Sequence, residues 1–164
     1  MNERLRRGLI IAGLLLVLGG VNWTIWSREQ LLGSGEVLLV ELAPVDPRSL
    51  MQGDYMALNF RIAQQVPRAE DDAPSQGQLV LKRGANGVAV FDRVYAGGAL
   101  ALDERLLDYK VRERRARIVT NGYFFEEGQG GLYARARYGE LRVTPSGQAL
   151  LTGLRDADLR PIRP

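Results

Sequence analysis

Residues 9–26, LIIAGLLLVLGGVNWTIW, form an apolar run with no charge and only Asn22 and Thr24 as polar side chains. A run apolar on every side carries no amphipathic period and reads as a helix buried in lipid. At 1.5 Å per residue, about 20 apolar residues cross the hydrocarbon of a bilayer, which is the length of residues 8–27. Helical pattern continues through SREQLL, and Gly33 supplies the stop.

Beyond Gly33 the period changes. Short apolar segments of strand length, residues 36–42, 55–62, 78–83 and 88–95, alternate with Gly, Pro and Asp. Gly84-Ala85-Asn86-Gly87 between two of them predicts a hairpin, because Gly and Asn tolerate positive φ. Residues 66–77 are polar, acidic and Pro-rich, and read as a surface loop. In residues 106–119, Leu107, Tyr109 and Val111 alternate in one frame before the segment turns basic as RERRAR, which predicts a bulge or a sheet edge. Those arginines are either a solvated edge strand guarded by charge or a patch for anionic lipid or an acidic partner. Residues 128–137 suit a short helix; YGELRV, a turn at Thr144-Pro145-Ser146-Gly147 and QALLTGL suit a second hairpin. Leu159 and Ile162 alternate as a last edge strand would.

The expected fold is mostly β: a single transmembrane helix, then one antiparallel β sandwich or open barrel with a short helix. Residues 1–33 form the cytoplasmic tip and anchor, and residues 36–164 one β-rich domain outside the cytoplasm. Orientation follows from Arg4, Arg6 and Arg7, since basic residues flanking a first span stay inside. In a bacterium this is a single-pass protein of the cytoplasmic membrane with a periplasmic or extracellular domain. A cleaved signal peptide would need a shorter apolar core and a small-x-small cleavage site, and the tryptophans at 23 and 26 instead suit a headgroup belt.

Composition narrows the chemistry. With no His and no Cys, the chain has no Ser-His-Asp or Cys-His nucleophile and no zinc, haem or iron–sulfur ligands of the usual types. No metal or cofactor is expected. The net charge of +3 resides at the N-terminus: leaving out Glu3 and the three arginines gives 19 basic against 18 acidic residues, which argues against a nucleic-acid surface.

The densest local signal is VDPRSLMQGDYMALNF, residues 45–60. Asp46 can accept bonds from following amides, Pro47 presets φ, Gly53 closes the turn, and Asp54 is placed to pair with Arg48. Along the outgoing strand Leu58 and Phe60 share the face expected to be buried, opposite Tyr55, Ala57 and Asn59. Gly53-Asp54-Tyr55-Met56-Ala57-Leu58-Asn59-Phe60 resembles the signature of the GDYXXLXY proteins, a bacterial family, with Phe60 in place of the final Tyr. Val45-Asp46-Pro47-Arg48 and Tyr123-Phe124-Phe125-Glu126-Glu127-Gly128 are similar to further segments of that family. The resemblance implies a membrane-tethered accessory domain, found beside polytopic membrane proteins and without established activity. By the same resemblance Tyr123 and Glu127 gather with Asp46, Arg48 and Asp54, as either a fold-fixing charge network or, with Tyr55, a binding site, and Pro47, Gly53 and Gly128 are turn residues.

The leading functional expectation is therefore a binding domain that partners the bilayer and a polytopic membrane protein, and no catalytic residue is assigned. The enzyme alternative is a Ser-Lys membrane protease similar to signal peptidases, with Ser49 as nucleophile and Lys82 as base.

Overall fold

The computed structural model describes residues 3–43, 55–66, 75–112 and 115–164. It divides into two units, Met1–Ser34 and Gly35–Pro164. The first is helix α1 (Glu3–Ser34). Within it Arg6–Ser27 has mean hydropathy 2.0 and none of the window is buried, so this helix is long and apolar enough to cross a membrane. Its hydroxyls are satisfied internally: Thr24 Oγ1 donates to the Gly20 carbonyl at 2.9 Å and Ser27 Oγ to the Thr24 carbonyl at 2.8 Å. Such back-bonding lets polar side chains sit in an apolar medium.

The second unit runs β1 (Glu36–Glu41), β2 (Tyr55–Ala57), α2 (Arg61–Gln65), β3 (Gln76–Arg83), β4 (Val88–Val94), β5 (Glu104–Arg112), β6 (Arg115–Arg117), β7 (Gly122–Phe124), α3 (Gly130–Tyr133), β8 (Tyr138–Val143) and β9 (Ala149–Arg155). Seven strands form one curled sheet in the order β6-β5-β3-β4-β1-β8-β9, and β2 and β7 form a separate ribbon. The fold is mostly β, as the pattern predicts, and of the two architectures the curled sheet is the open-barrel kind. One pairing departs from the antiparallel expectation: β1 runs parallel to β4, with Leu39 opposite Val88. β2, α2 and β3 intervene in sequence between β1 and β4, so the chain re-enters beside β1 in the same direction.

Period-two alternation fills the concave face of this sheet. Leu38 and Val40 of β1, Leu79 and Leu81 of β3, Leu107 of β5 and Leu141 of β8 are fully buried there. Met56, Leu58, Phe60 and Ile62, each under 5% exposed, lie in the same cluster and come from the ribbon, α2 and the segment between them. The curl is fixed by the β8–β9 turn, which reaches across to the other half of the sheet. Asp108 N–H donates to the Gly147 carbonyl at 2.8 Å, and Gln78 Nε2 donates both to Asp108 Oδ1 and to the Ser146 carbonyl, each at 2.8 Å. Gly147 takes φ +92°, where a side chain would be strained and would meet Asp108 at 2.8 Å.

Both predicted hairpins form. At the first, Gly84 N–H bonds the Val88 carbonyl at 2.9 Å, Val88 N–H bonds Asn86 Oδ1 at 3.1 Å, and Gly87 has φ +79°. Arg115–Arg117, the last part of RERRAR, falls at a sheet edge, since β6 is the terminal strand among the described residues. The expected strand through Ile62 stops early: β2 ends at Ala57 and Arg61–Gln65 is helical. Ala and Gln favour helix, and turning after Phe60 lets both Phe60 and Ile62 point under the sheet, which a straight strand would also allow only by extending beyond it. The segment after β9 makes one bridge, Arg155 to Pro161, and buries Ile162, while Leu159 takes φ +63° and breaks the expected strand.

Phe60 lies directly on Gly139 of β8, where an added Cβ would come 2.8 Å from the ring and 3.2 Å from Leu151. The ring cannot retreat, being 3% exposed. Gly139→Ala is expected to destabilise the full chain by about 1–3 kcal/mol through overpacking. Gly153→Ala, on the neighbouring strand with open space around it, should stay within about 0.5 kcal/mol. Denaturant unfolding of both variants in micelles checks the pair.

Candidate functional site

The structure gives the signature segment a place of its own. Tyr55 pairs with Phe124, Met56 with Tyr123 and Ala57 with Gly122, so two of the three segments that carry the family resemblance supply strands to one ribbon. Strand alternation then sorts their aromatic rings. Inward, Tyr123 and Phe125 pack on Tyr133 of α3, with ring centroids 5.2 Å and 5.0 Å apart. Burial, and then the hydrogen bond with Tyr133, push the Tyr123 phenol above its usual range. Outward, Tyr55 and Phe124 face each other with centroids 5.7 Å apart and remain 38% and 78% exposed.

Next to this pair the outward face continues through Ala57 and Asn59 into a groove of about 580 Å³. Leu58, Phe60 and Val66 line one side, Ala116 and Ile118 the other, with Asn121 at the junction to the ribbon. The walls are held by backbone bonds: Leu58 N–H to the Asn121 carbonyl and Ala43 N–H to the Asn59 carbonyl, both 2.7 Å. Between the lining residues Ile118 and Thr120 sits Val119 at φ +53°, a conformation a β-branched side chain adopts at a cost of about 1–3 kcal/mol. Thr120 Oγ1 braces that bend by donating to the Gly122 carbonyl at 3.1 Å.

Of the site residues predicted from sequence, Asp46, Arg48 and Asp54, the turn residues Pro47 and Gly53, and Ser49 lie outside the described residues. Tyr55 and Tyr123 are on adjacent strands but opposite faces, so the ribbon does not bring their side chains together. Glu127 is exposed, and Gly128, at φ +85°, shapes the turn in which Gln129 N–H bonds the Glu126 carbonyl at 3.1 Å. Phe124, Asn59, Asn121 and Val119 were not marked by sequence. Alternation around the YFF triplet separates Phe124 from its neighbours, whereas a positive φ at valine leaves no sequence signal.

Lys82 is the proposed base of the protease alternative. Its Nζ lies 2.7 Å from Asp92 Oδ1, and that bond, with the carboxylate's charge, raises the lysine above its ordinary range. A lysine base needs the opposite shift, toward the neutral amine. Glu104 is engaged in the same way: Arg93 holds it at 2.6 Å and 3.1 Å and the Ala101 N–H at 3.0 Å, which lower its carboxyl to about 2. Among the described residues no three His, Cys, Asp or Glu side chains gather as metal ligands would.

The fold defines a small curled-sheet β domain that carries an apolar N-terminal helix and an aromatic ribbon beside a groove. The GDYXXLXY protein family profile matches residues 17–154, and the chain belongs to that family. The curated proteins and the solved structures contain no match to it.

Releasing the bend at Val119 tests whether the groove wall is held under strain. Val119→Asn is expected to raise stability by about 1 kcal/mol, since Asn tolerates positive φ. Thermal unfolding of the full chain in micelles measures it.

Proposed function

We propose that this protein is a membrane-anchored accessory domain, held outside the cytoplasm of a bacterial cell by α1, that binds an integral membrane partner through the outward face of the β2–β7 ribbon. The observation that carries this reading is the exposed Tyr55–Phe124 pair. Packing does not need these rings: the core is closed by Met56, Leu58, Phe60, Tyr123 and Tyr133 on the other side. Exposed aromatic side chains supply large rigid contact area and are the residues on which interface energy concentrates. That one of them is the tyrosine named by the family signature supports recognition as the purpose of the ribbon.

The span supports the membrane location, and Arg4, Arg6 and Arg7 ahead of it support an inward N-terminus. In this reading the charged residues of the family segments, Asp46, Arg48, Asp54 and Glu127, set the registration of the partner rather than its affinity.

Photocrosslinking from a benzoyl-phenylalanine placed at Tyr55, in intact membranes, tests the reading. A single reproducible multi-span protein is expected, and its yield should fall several-fold with Phe124→Ala, a surface change expected to alter stability by no more than about 0.5 kcal/mol. Recovery of lipids and abundant porins alone contradicts it.

A further inference from the structure

The basic hairpin at the end of the sheet is built against its own electrostatics. Lys110 pairs with Arg117 and Arg112 with Arg115, so like charges stand directly opposite one another on adjacent strands twice in succession. Each such pairing is unfavourable by about 0.2–1 kcal/mol relative to neutral pairs. Arg117 has an interaction within the chain; Arg115 is exposed at the mouth of the groove. Between the two charged pairs, Val111 and Ala116 face each other and line the groove's apolar side.

Among the described residues β6 is also the terminal strand of the sheet, with no strand paired on its other side. That side is normally hazardous, and charged side chains discourage pairing with other chains. Basic residues exclude a second copy of this same hairpin. They do not exclude an acidic strand. The groove alongside, about 580 Å³, is within the range of roughly 300–1,000 Å³ typical of binding pockets. Its wall mixes apolar side chains with the amides of Asn59, Gln64 and Asn121, which suits a peptide's alternating polar backbone and apolar side chains better than a bare acyl chain.

We propose that the edge of β6 and the adjoining groove bind an extended acidic segment of the partner by strand addition, with carboxylates toward Arg115 and Arg112 and an apolar side chain against the partly exposed Val111 and Ala116. This deepens the reading of the domain as a binding module and rests on it. Main-chain bonds to β6 give the affinity, and the groove and its basic rim give the selectivity. Three residues of β6 offer roughly 10 Å of edge.

The test uses the full chain in nanodiscs of neutral phosphatidylcholine and a fluorescently labelled ten-residue peptide of alternating Glu and Val. Binding at least tenfold tighter than that of the matching Lys-Val peptide is expected, with a tenfold loss when every Val nitrogen is methylated. Arg115→Glu should weaken the Glu-Val peptide at least fivefold while the protein melts no lower, since the change replaces the like-charge pair with Arg112 by an opposite-charge one. Equal binding of both peptides, no binding, or indifference to methylation overturns the proposal. Displacement of the peptide by stoichiometric oleate also overturns it, by making an acyl chain the occupant. If no peptide binds while Tyr55 still traps a multi-span protein, the strand-addition inference fails and the accessory-domain reading stands; if the peptide binds while Tyr55 traps only lipid, the reverse holds.

Discussion

A seven-stranded sheet that curls has an apolar concave face and, among the described residues, only a two-stranded ribbon and short helices to cover it, and the packing of this domain answers to that constraint. The leucines at 38, 79, 81, 107 and 141 present an inner surface that water must not reach. Fully burying one such side chain contributes about 1.5–3 kcal/mol, so leaving the face open would forfeit an amount comparable to the whole stability of a small domain. With no cysteine, no disulfide substitutes for this burial. The cover comes from the signature segment. Met56, Leu58, Phe60 and Ile62 fill the concavity, and Phe60 is seated where Gly139 leaves room for a ring. The loss of a phenol hydroxyl at that position is compatible with this role, because the contact is a ring edge on a backbone and a leucine.

The same segment has a second face, and strand alternation makes the two faces separable. Residues that fill the core cannot also bind a partner, but their neighbours along the strand are held in place by them at no further cost in order. Tyr55 and Phe124 are positioned by Met56, Tyr123 and Tyr133 beneath. Charge is arranged with similar economy. Glu36 receives both Arg83 and Arg105, and Glu104 receives Arg93, so carboxylates near the ends of β1 and β5 are committed to arginines and kept ionised below the ordinary carboxylate range. Such groups hold strands together; with protons this firmly excluded they are poorly suited to acid–base exchange near neutral pH.

Much of the fold was legible because it rests on local signals. The apolar run fixed α1, GANG and TPSG fixed two hairpins, and the alternation of Leu107, Tyr109 and Val111 gave the correct inner face of β5. Leu58 and Phe60 were correctly placed inward. What sequence did not give depends on contacts between distant segments. The parallel pairing of β1 with β4 is set by how the sheet closes, and the short strand β7 exists only because β2 lies beside it. The helical turn at Arg61 overrides a pattern that alternates well as a strand. For the candidate site, Tyr55 and an edge at RERRAR could be singled out from sequence, whereas the pairing of Tyr55 with Phe124 needed the register. The groove forms where residues 57–66, 111, 115–118 and 120–121 meet, and none of these segments announces it alone.

Amide hydrogen exchange of the full chain in nanodiscs measures most directly whether the signature segment is part of the core. If it seals the concave face, the Leu58 and Ala43 amides, bonded to Asn121 and Asn59, open only with the sheet and show protection within tenfold of Leu38 and Leu141 in β1 and β8. Exchange at Leu58 and Ala43 a hundredfold or more faster than in those strands would mean that the ribbon detaches on its own, and the account of the fold and its surface would be wrong.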